Sequence, residues 1–308
     1  MSPGGSSAPS NVRSGFVALL GRPNAGKSTL VNAAAGTKVA IVSSRPQTTR
    51  QRLRAVIDRE DAQIVLVDTP GLHKPQDALG AELNRAALMA LSDVDVACLV
   101  LDASQPVGKG DAWVARHLAE SRAPRKVLVV TKADLTDQET VRTQIERAEA
   151  LMDFDHTVVV SALTGFNVDG FIDTVADGLP FGPRYFPRDM ATDQQIETMI
   201  AEFIREKVLR VTFDEIPHAV GVVLDELRYD EERDMTTIEA VVYVERDSQK
   251  GILIGKGGDV IKHVGTEARM DLERLLGTKV YLGLMVKVKA NWRRDAAQVK
   301  RFGYGEGV

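Results

Sequence analysis

The segment GRPNAGKS, residues 21–28, has the residue types and spacing that suit binding of a phosphate chain. It directly follows the apolar run FVALL and precedes a helical stretch, the context that a phosphate-binding loop requires. Glycines let backbone N–H groups turn inward around a β-phosphate, Lys27 brings a positive charge toward the β and γ oxygens, and the Ser28 hydroxyl can ligate magnesium. The alternative is a glycine-rich turn with a solvated lysine. The predicted nucleotide contacts here are Gly21, Arg22, Pro23, Asn24, Ala25, Gly26, Lys27, Ser28 and Thr29.

A second motif, DTPG at residues 68–71, ends the apolar run AQIVLV. The Asp68 carboxylate can hold magnesium through water, and the Gly71 N–H can meet a γ-phosphate, so loss of this phosphate would release the loop that follows. An isolated DTPG could also be a simple turn. The predicted contacts in this segment are Asp68, Thr69, Pro70, Gly71 and Leu72.

Between these motifs, SSRPQTTR at residues 43–50 offers hydroxyl groups for a further magnesium ligand. We favour Thr49 over Thr48 for this role. Without the flanking motifs, adjacent threonines in a polar segment would indicate only a loop. The predicted metal is Mg²⁺, and its predicted ligands are Ser28, Thr49 and Asp68.

The base is predicted from TKAD, residues 131–134, which ends the apolar run KVLVV. Guanine presents two donors, N1–H and the 2-amino group, and one carboxylate can accept both, so Asp134 is predicted to select guanine. The Lys132 stem can cover one face of the base. The segment SAL follows the next apolar run and places the Ala162 N–H toward guanine O6; alone, TKAD could be a helix cap and SAL says little. The predicted contacts are Thr131, Lys132, Ala133, Asp134, Ser161, Ala162 and Leu163.

Leu72 occupies the position at which many GTPases carry a glutamine that orients the attacking water for hydrolysis. Leucine cannot orient water. Either another group does so, or hydrolysis is intrinsically slow. The residues predicted to take part in hydrolysis are Lys27, Thr49, Gly71 and Asn24.

The elements that must position these motifs are short apolar runs alternating with amphipathic stretches from about residue 15 to 179. This alternation predicts a mostly parallel sheet covered on both faces, with the motif loops at the carboxyl ends of its strands. The segment PFGPRYFPRDMATD, residues 180–193, has three prolines and no clear periodicity, so it is predicted to be a boundary. The predicted organisation is a disordered tail (1–13), a GTPase domain (14–180), a linker (181–193) and a second domain (194–308).

The second domain has a different pattern, which predicts a helix at about 194–210, strands at 218–229 and 235–245, two helices flanking ILIGKGGDVIK, a strand at 279–289 and a short last helix. The loop GKGG between two helices is the element with which KH domains clamp about four nucleotides. An incidental turn is the alternative. The element order favours the bacterial, type II KH fold. The predicted RNA contacts are Ile254, Gly255, Lys256, Gly257, Gly258 and Lys262.

Charge supports the RNA interpretation locally. Residues 250–301 contain twelve basic and five acidic residues, whereas the whole chain carries a net charge of −4, which argues against overall attraction to nucleic acid or anionic membrane. The only cysteine, Cys98, lies in an apolar run, so it is predicted to be a packing residue, and it excludes an internal disulfide. A reducing, cytoplasmic setting is expected, without a secretory signal or a membrane span.

Taken together, the chain resembles the Era family of GTPases from about residue 15 to 303, through GRPNAGKSTL, SSRPQTTR, DTPGLH, FPRDMATDQ and GILIGKGGDVIK. The resemblance implies an α/β P-loop GTPase domain with a mostly parallel sheet, followed by an α+β type II KH domain. One departure is Thr131, where the wider group of GTPases around the Era family, which includes the tRNA-modification GTPases, usually has asparagine.

The resemblance further implies binding of the 3′ end of 16S ribosomal RNA, assistance in assembly of the 30S ribosomal subunit, a monomeric state and peripheral contact with the inner face of the cell membrane. In related GTPases an asparagine at the position of Asn24 helps to hold K⁺, so K⁺ is an expected second cofactor. Two other functions stay open: an RNA-binding module with a non-hydrolysing GTP site, and a P-loop enzyme that transfers phosphate to a metabolite.

Overall fold

The computed structural model describes residues 12–42, 49, 53–72, 78–212 and 220–302. Contacts divide the chain into two compact units. The first unit contains residues up to Ala40, Arg52–His73 and Asn84–Asp193. The second unit contains Gln194–Val308 together with two earlier segments of the chain, Ile41–Gln51 and Lys74–Leu83. Of the predicted tail, only residues 12 and 13 are described, and Arg13 begins the first strand.

The first unit is a six-stranded sheet with helices on both faces. Its strands pair in the order β2-β3-β1-β4-β5-β6, and every pairing is parallel except the antiparallel pair β2 and β3. The strands are β1 (Arg13–Leu20), β2 (Leu53–Asp58), β3 (Ala62–Asp68), β4 (Val96–Asp102), β5 (Arg125–Thr131) and β6 (His156–Val159). The helices that lie wholly within this unit are α1 (Lys27–Ala35), α3 (Lys109–Glu120), α4 (Gln138–Glu149) and α5 (Val168–Asp177), whereas α2 (Ala78–Met89) is divided, with residues 78–83 grouping with the second unit and residues 84–89 with the first.

Side-chain alternation along the strands builds a separate core on each face of this sheet. In β1, Val17 and Leu19 join a cluster with α1 and α5, whereas Ala18 and Leu20 join a cluster with α3 and α4. Both faces are covered, so the strands are continuous apolar runs, as expected for a parallel sheet. Cys98 is fully buried in the first of these cores, and burial raises the pKa of its thiol, which fits a packing role.

The edge strand β2 was not among the strands predicted from the sequence. Its six residues, LRAVID, mix apolar and charged types and follow a polar segment, so the apolar signal is short. The strand forms a hairpin with β3, in which Arg59 N donates to Ala62 O at 2.7 Å. An antiparallel hairpin partner needs no crossover helix, and the alternation of strand and helix therefore gave no hint of it.

Residues 181–193, predicted as a linker, pack along the first unit. Val56 N donates to Ala191 O at 2.9 Å, and Thr192 Oγ1 donates to Arg54 O at 2.7 Å. Arg54 also forms an ion pair of 2.7 Å with Asp193. These contacts lie on the outer edge of β2, where an unprotected strand would offer unpaired backbone groups to other chains.

Two side chains hold the beginning of this segment. Arg184 donates from Nε to Asp58 Oδ1 at 2.9 Å and from Nη2 to the carbonyls of Arg59 and Glu60 at 2.7 and 2.9 Å. The fully buried Gln63 accepts from the N–H groups of Tyr185 and Phe186 and donates to Phe186 O. Residues 181–193 therefore belong to the first unit by their hydrogen bonds.

The second unit is a three-stranded sheet whose longer helices share a core with one face, while Trp292, Val299 and Phe302 pack against Val223 and Tyr243 on the other face. Its elements are α6 (Ile196–Val211), β7 (Gly221–Asp230), β8 (Met235–Val244), α7 (Asp247–Ile254), α8 (Asp259–Leu276), β9 (Lys279–Val288) and α9 (Ala296–Arg301). Strand β8 is central, antiparallel to β7 and parallel to β9. Phe203 of α6, Leu253 of α7 and Leu272 of α8 pack in one core with the sheet. The predicted fold class, a parallel-dominated GTPase domain followed by a type II KH domain, is confirmed.

Within the described ranges, no helix is both long and apolar enough to cross a membrane.

We predict that Arg184→Ala lowers the free energy of unfolding of the first unit by about 1–3 kcal/mol, because it removes bonds to a largely buried carboxylate and to two carbonyls. Arg188→Ala is the matched control, since Arg188 lies 3.8 Å from the same Asp58 carboxylate but its side chain is 63% exposed. Urea unfolding followed by Trp113 fluorescence, in a Trp292→Phe background, measures both. Equal stability of the two variants would contradict the role given to Arg184.

Candidate functional site

The loop between β1 and α1 has the shape that its sequence predicts. Asn24 and Gly26 take left-handed backbone conformations with φ of 63° and 93°, which turn the chain back before α1 begins at Lys27. Gly21 lies against the end of β4, where an added Cβ would be 2.4 Å from Val100 O. A side chain at this position would force the loop away from the sheet.

Lys27 is buried within this loop. Its Nζ donates to the carbonyls of Gly21 and Arg22 at 3.1 and 3.0 Å. Burial lowers the pKa of the Lys27 ammonium from 10.5 to about 8, and the nearby Asp68 carboxylate partly opposes this change. A phosphate chain beside the ammonium would favour its charged form, because an opposite charge stabilises a buried cation.

Ser28 and Asp68, two of the predicted magnesium ligands, are brought together. Ser28 Oγ donates to Asp68 Oδ2 at 2.6 Å, and Asp68 is fully buried. A hydroxyl and a carboxylate are hard oxygen donors, so the pair fits Mg²⁺. Thr49, the third predicted ligand, belongs to a segment that is assigned to the second unit, and its role stays a prediction. Thr48 lies outside the described residues.

The DTPG segment is held close to the phosphate loop. An added Cβ at Gly71 would be 2.6 Å from both N and Cα of Pro23, so only glycine allows this approach. Thr69 Oγ1 donates to Leu19 O at 2.7 Å, and Leu72 N donates to Gly21 O at 3.1 Å. Pro70 is also buried. The segment is therefore hydrogen-bonded to the end of β1 and to the first residue of the phosphate loop.

The Leu72 side chain points away from that loop. It is 1% exposed and packs in the core that includes Val67 and Ala87. Only the backbone of Leu72 therefore faces the phosphate loop, in agreement with the inference that this side chain does not orient water.

At the other end of the site, the predicted guanine selectors lie side by side. Ser161 Oγ donates to Asp134 Oδ1 at 2.5 Å, so a buried hydroxyl orients an exposed carboxylate. Ala133 N donates to Val160 O at 3.3 Å, which ties TKAD to the strand before SAL. Ala162 is partly buried and Leu163 is 80% exposed, so the SAL segment presents its backbone and an apolar side chain at the surface.

Asp102, which the sequence analysis did not single out, orients Lys132. Lys132 Nζ donates to Asp102 Oδ2 at 2.6 Å, while Asp102 Oδ1 accepts from N and Oγ of Ser104 at 2.9 and 2.6 Å. Lys132 itself has a left-handed backbone with φ of 57°. The position of Asp102 at the carboxyl end of a parallel strand was the signal that could have identified it.

Asp111 is a second residue that the motifs did not reveal. Its Oδ2 accepts from Arg22 Nη1 at 3.1 Å and from Gly108 N at 2.9 Å, so it caps α3 and fixes the phosphate loop to that helix. A cavity of about 320 Å³ lies between these groups, lined by Arg22, Asn24, Asp102, Asp111 and Lys132. Its polar walls adjoin both the phosphate loop and TKAD.

In the second unit, the GKGG loop joins α7 to α8 by a tight turn. Gly255, Gly257 and Gly258 have positive φ values of 74°, 64° and 84°. An added Cβ at Gly255 would be 2.5 Å from a methyl group of Val260, whereas nothing lies within 4 Å of one at Gly257. The backbone at Gly257 is therefore open to a phosphate group.

The side chains around this turn divide into apolar and basic sets. Ile254 packs partly into the core, and the exposed Lys256 stands at the tip of the turn. Lys262 is exposed on the first turns of α8 and donates to Gly257 O at 3.3 Å. Two ammonium groups thus flank an accessible glycine backbone, which suits the binding of a nucleic acid backbone.

Two protein-family models match this chain, one in each of its two parts. Residues 16–132 match the family model described as "50S ribosome-binding GTPase", and residues 215–293 match the model of the KH domain.

Two solved structures are similar to nearly the whole chain. One is Era from Aquifex aeolicus bound to GDP and AlF₄⁻; the other is Era in complex with MgGDPNP and nucleotides 1506–1542 of 16S ribosomal RNA. Each is 35% identical, covers 96% of this chain and 100% of its own, and superposes with a TM-score of 0.92. With this identity over 96% of its length, the chain belongs to the Era family of GTPases.

Proposed function

We propose that this protein binds and hydrolyses GTP and binds 16S ribosomal RNA near its 3′ end, and that it thereby assists assembly of the 30S ribosomal subunit. The observation that carries the proposal is the presence, in one chain, of the Asp134 and Ser161 guanine end, the Lys27 phosphate loop and the open GKGG backbone. The similarity to Era solved with 16S ribosomal RNA supports the choice of RNA.

In the proposed mechanism, backbone N–H groups of residues 21–28 bind the phosphate chain, and Lys27 turns its ammonium from the loop carbonyls toward the β and γ oxygens. Ser28 and Asp68 would hold Mg²⁺, which would supply positive charge against the oxygens of the transferring phosphate. The Gly71 N–H meets the γ-phosphate. Since the Leu72 side chain packs in the core, either another group positions the water or intrinsic turnover is slow.

We further propose that K⁺ is a second cofactor, held in part by Asn24. This side chain lies on the left-handed turn of the phosphate loop and lines the cavity beside it. A cation there would offset charge on the phosphates without any contribution from Leu72.

GTP turnover should be severalfold faster in KCl than in NaCl at equal ionic strength. Asn24→Gly should bring the ratio of the two rates toward one, since glycine keeps the left-handed backbone while removing the amide. Lys27→Ala, which removes the phosphate-binding ammonium, should abolish turnover in both salts. Equal rates in the two salts for the unmodified protein would make Asn24 a structural residue.

GTP should bind at least about a hundredfold more tightly than ATP, because two hydrogen bonds to a carboxylate are worth roughly 3 kcal/mol or more. Asp134→Asn should shift the preference toward xanthosine nucleotides, whose base presents an acceptor in place of the 2-amino group. Ser161→Ala is the matched control: it should weaken GTP binding and leave the order of bases unchanged. Competition titration against a fluorescent nucleotide measures all three. Equal affinities for ATP and GTP would remove the guanine assignment.

The two activities are proposed to be linked. GTP can favour RNA binding only if it binds the RNA-competent state more tightly, and RNA must then tighten GTP binding by the same factor. The usual size of such coupling is about 1–3 kcal/mol, or roughly 5–150-fold.

A fragment of the 16S ribosomal RNA 3′ end, titrated with protein bound to GDP and then to a non-hydrolysable GTP analogue, should show affinities that differ by this factor. The double substitution Lys256→Asp and Gly257→Asp should abolish RNA binding through repulsion, while GTP affinity without RNA stays unchanged. Lys109→Asp, on α3 of the first unit, is the control for a charge reversal elsewhere. Identical RNA affinity in both nucleotide states would leave two activities without a switch between them, and the proposed linkage would be withdrawn.

We place the protein in the cytoplasm, where ribosomal subunits assemble. A monomeric state and peripheral contact with the inner face of the cell membrane stay predictions of the resemblance, and sedimentation with and without membrane vesicles would test both.

A further inference from the structure

The side-chain hydroxyl of Thr131, the first residue of TKAD, is hydrogen-bonded to the protein backbone. Thr131 ends β5, is 1% exposed, and its Oγ1 lies 2.6 Å from Ala25 O and 2.9 Å from Leu101 O. Both neighbours are acceptors, whereas a hydroxyl has one proton to donate. The hydroxyl proton is therefore either shared between these two carbonyls or donated to one of them.

The phosphate loop is built around this side chain. An added Cβ at Gly26 would be 3.1 Å from Thr131 Oγ1 and 3.3 Å from Thr131 Cβ. Ala25 and Gly26 precede α1, and Leu101 belongs to β4, so one buried hydroxyl joins the turn of the loop to the neighbouring strand. The distance between the loop and this strand is thereby fixed from inside the site.

Guanine offers an acceptor that Thr131 has no proton to satisfy. Its N7 and O6 are acceptors, and its N1–H and 2-amino group are donors. Asp134 takes the two donors and the Ala162 N–H takes O6 in the proposed site, which leaves N7. An asparagine at position 131 would have two N–H groups and could serve a loop carbonyl and N7 together, but threonine cannot.

We propose, on the basis of the guanine site inferred above, that Thr131 is a positioning residue that fixes the phosphate loop and makes no contact with the base. This chain then recognises guanine through N1, the 2-amino group and O6 alone. The role predicted for Thr131 as a nucleotide contact becomes an indirect one, exerted through Ala25. Guanine nucleotides in which N7 is replaced by C–H are accordingly accepted as ligands.

The first test compares GDP with 7-deaza-GDP, in which N7 is replaced by C–H, in competition titrations on the full chain. The unmodified protein should bind both within about twofold, and Thr131→Asn should bind GDP about fivefold or more better than 7-deaza-GDP, the effect of one neutral hydrogen bond. A preference of the unmodified protein for GDP of about fivefold or more would overturn the proposal, because N7 would then have a donor. Failure of the unmodified protein to bind GDP at all would instead refute the guanine site itself.

The second test separates positioning from base contact. Thr131→Val keeps the shape and removes the hydroxyl, so affinity for GDP and for inosine diphosphate, which lacks the 2-amino group, should fall by the same factor of about five to ten. Thr131→Ser retains a hydroxyl and should restore affinity to within about twofold of the unmodified protein. A change in the ratio of GDP to inosine diphosphate affinity, or unchanged GDP affinity in Thr131→Val, would contradict the proposal. The 7-deaza comparison on the unmodified protein decides the matter even if the valine variant does not fold.

Discussion

The nucleotide site depends on one constraint, the common direction of β1, β3, β4, β5 and β6 in the sheet of the first unit. Parallel strands place their carboxyl ends at one edge of the sheet, and each strand is followed there by a loop or residue of the site. The phosphate loop follows β1, DTPG closes β3, Asp102 ends β4, and TKAD begins at the end of β5. Motifs more than a hundred residues apart in sequence therefore meet without any contact that is local in the chain.

Within that frame, the carbonyl groups of the phosphate loop are held by protein donors. Gly21 O accepts from Lys27 and from the backbone of Leu72, Arg22 O accepts from Lys27 and Ala25 N, and Ala25 O accepts from Thr131. Carbonyls that are satisfied on the protein side leave the loop oriented to present N–H groups toward an anion. The close approach of Gly71 to Pro23 also places the DTPG segment against the same loop. Substrate binding thus starts from a loop that is already shaped, which reduces the ordering it requires.

Contiguous patterns allowed much of this to be predicted from the sequence. Each of four motifs contains its functional residue types within a few positions: the loop at residues 21–28, DTPG, TKAD and GKGG. The alternation of apolar runs indicated the parallel sheet. The pairs of Lys132 with Asp102 and of Arg22 with Asp111 were missed, because they join residues 30 and 89 positions apart and neither carboxylate lies in a motif. The strand β2 was missed for a different reason, since its short mixed run is defined by its hairpin partner and not by its own periodicity. Whether Thr48 or Thr49 serves magnesium depends on a segment only one residue of which, Thr49, is among those described.

The packing of residues 181–193 along β2 has a consequence for how the chain can be divided. A fragment that ends at residue 180, the boundary suggested by the proline-rich composition, would leave Val56 N and Gln63 Oε1 without the groups that they bond in the full chain. It would also uncover a strand edge, the usual template for pairing between copies and for aggregation. The smallest fragment of the first unit that keeps its edge closed ends after Asp193, where Arg54 makes its ion pair. Evolution could therefore exchange the second domain of such a chain at residue 194 more readily than at any point in the preceding thirteen residues.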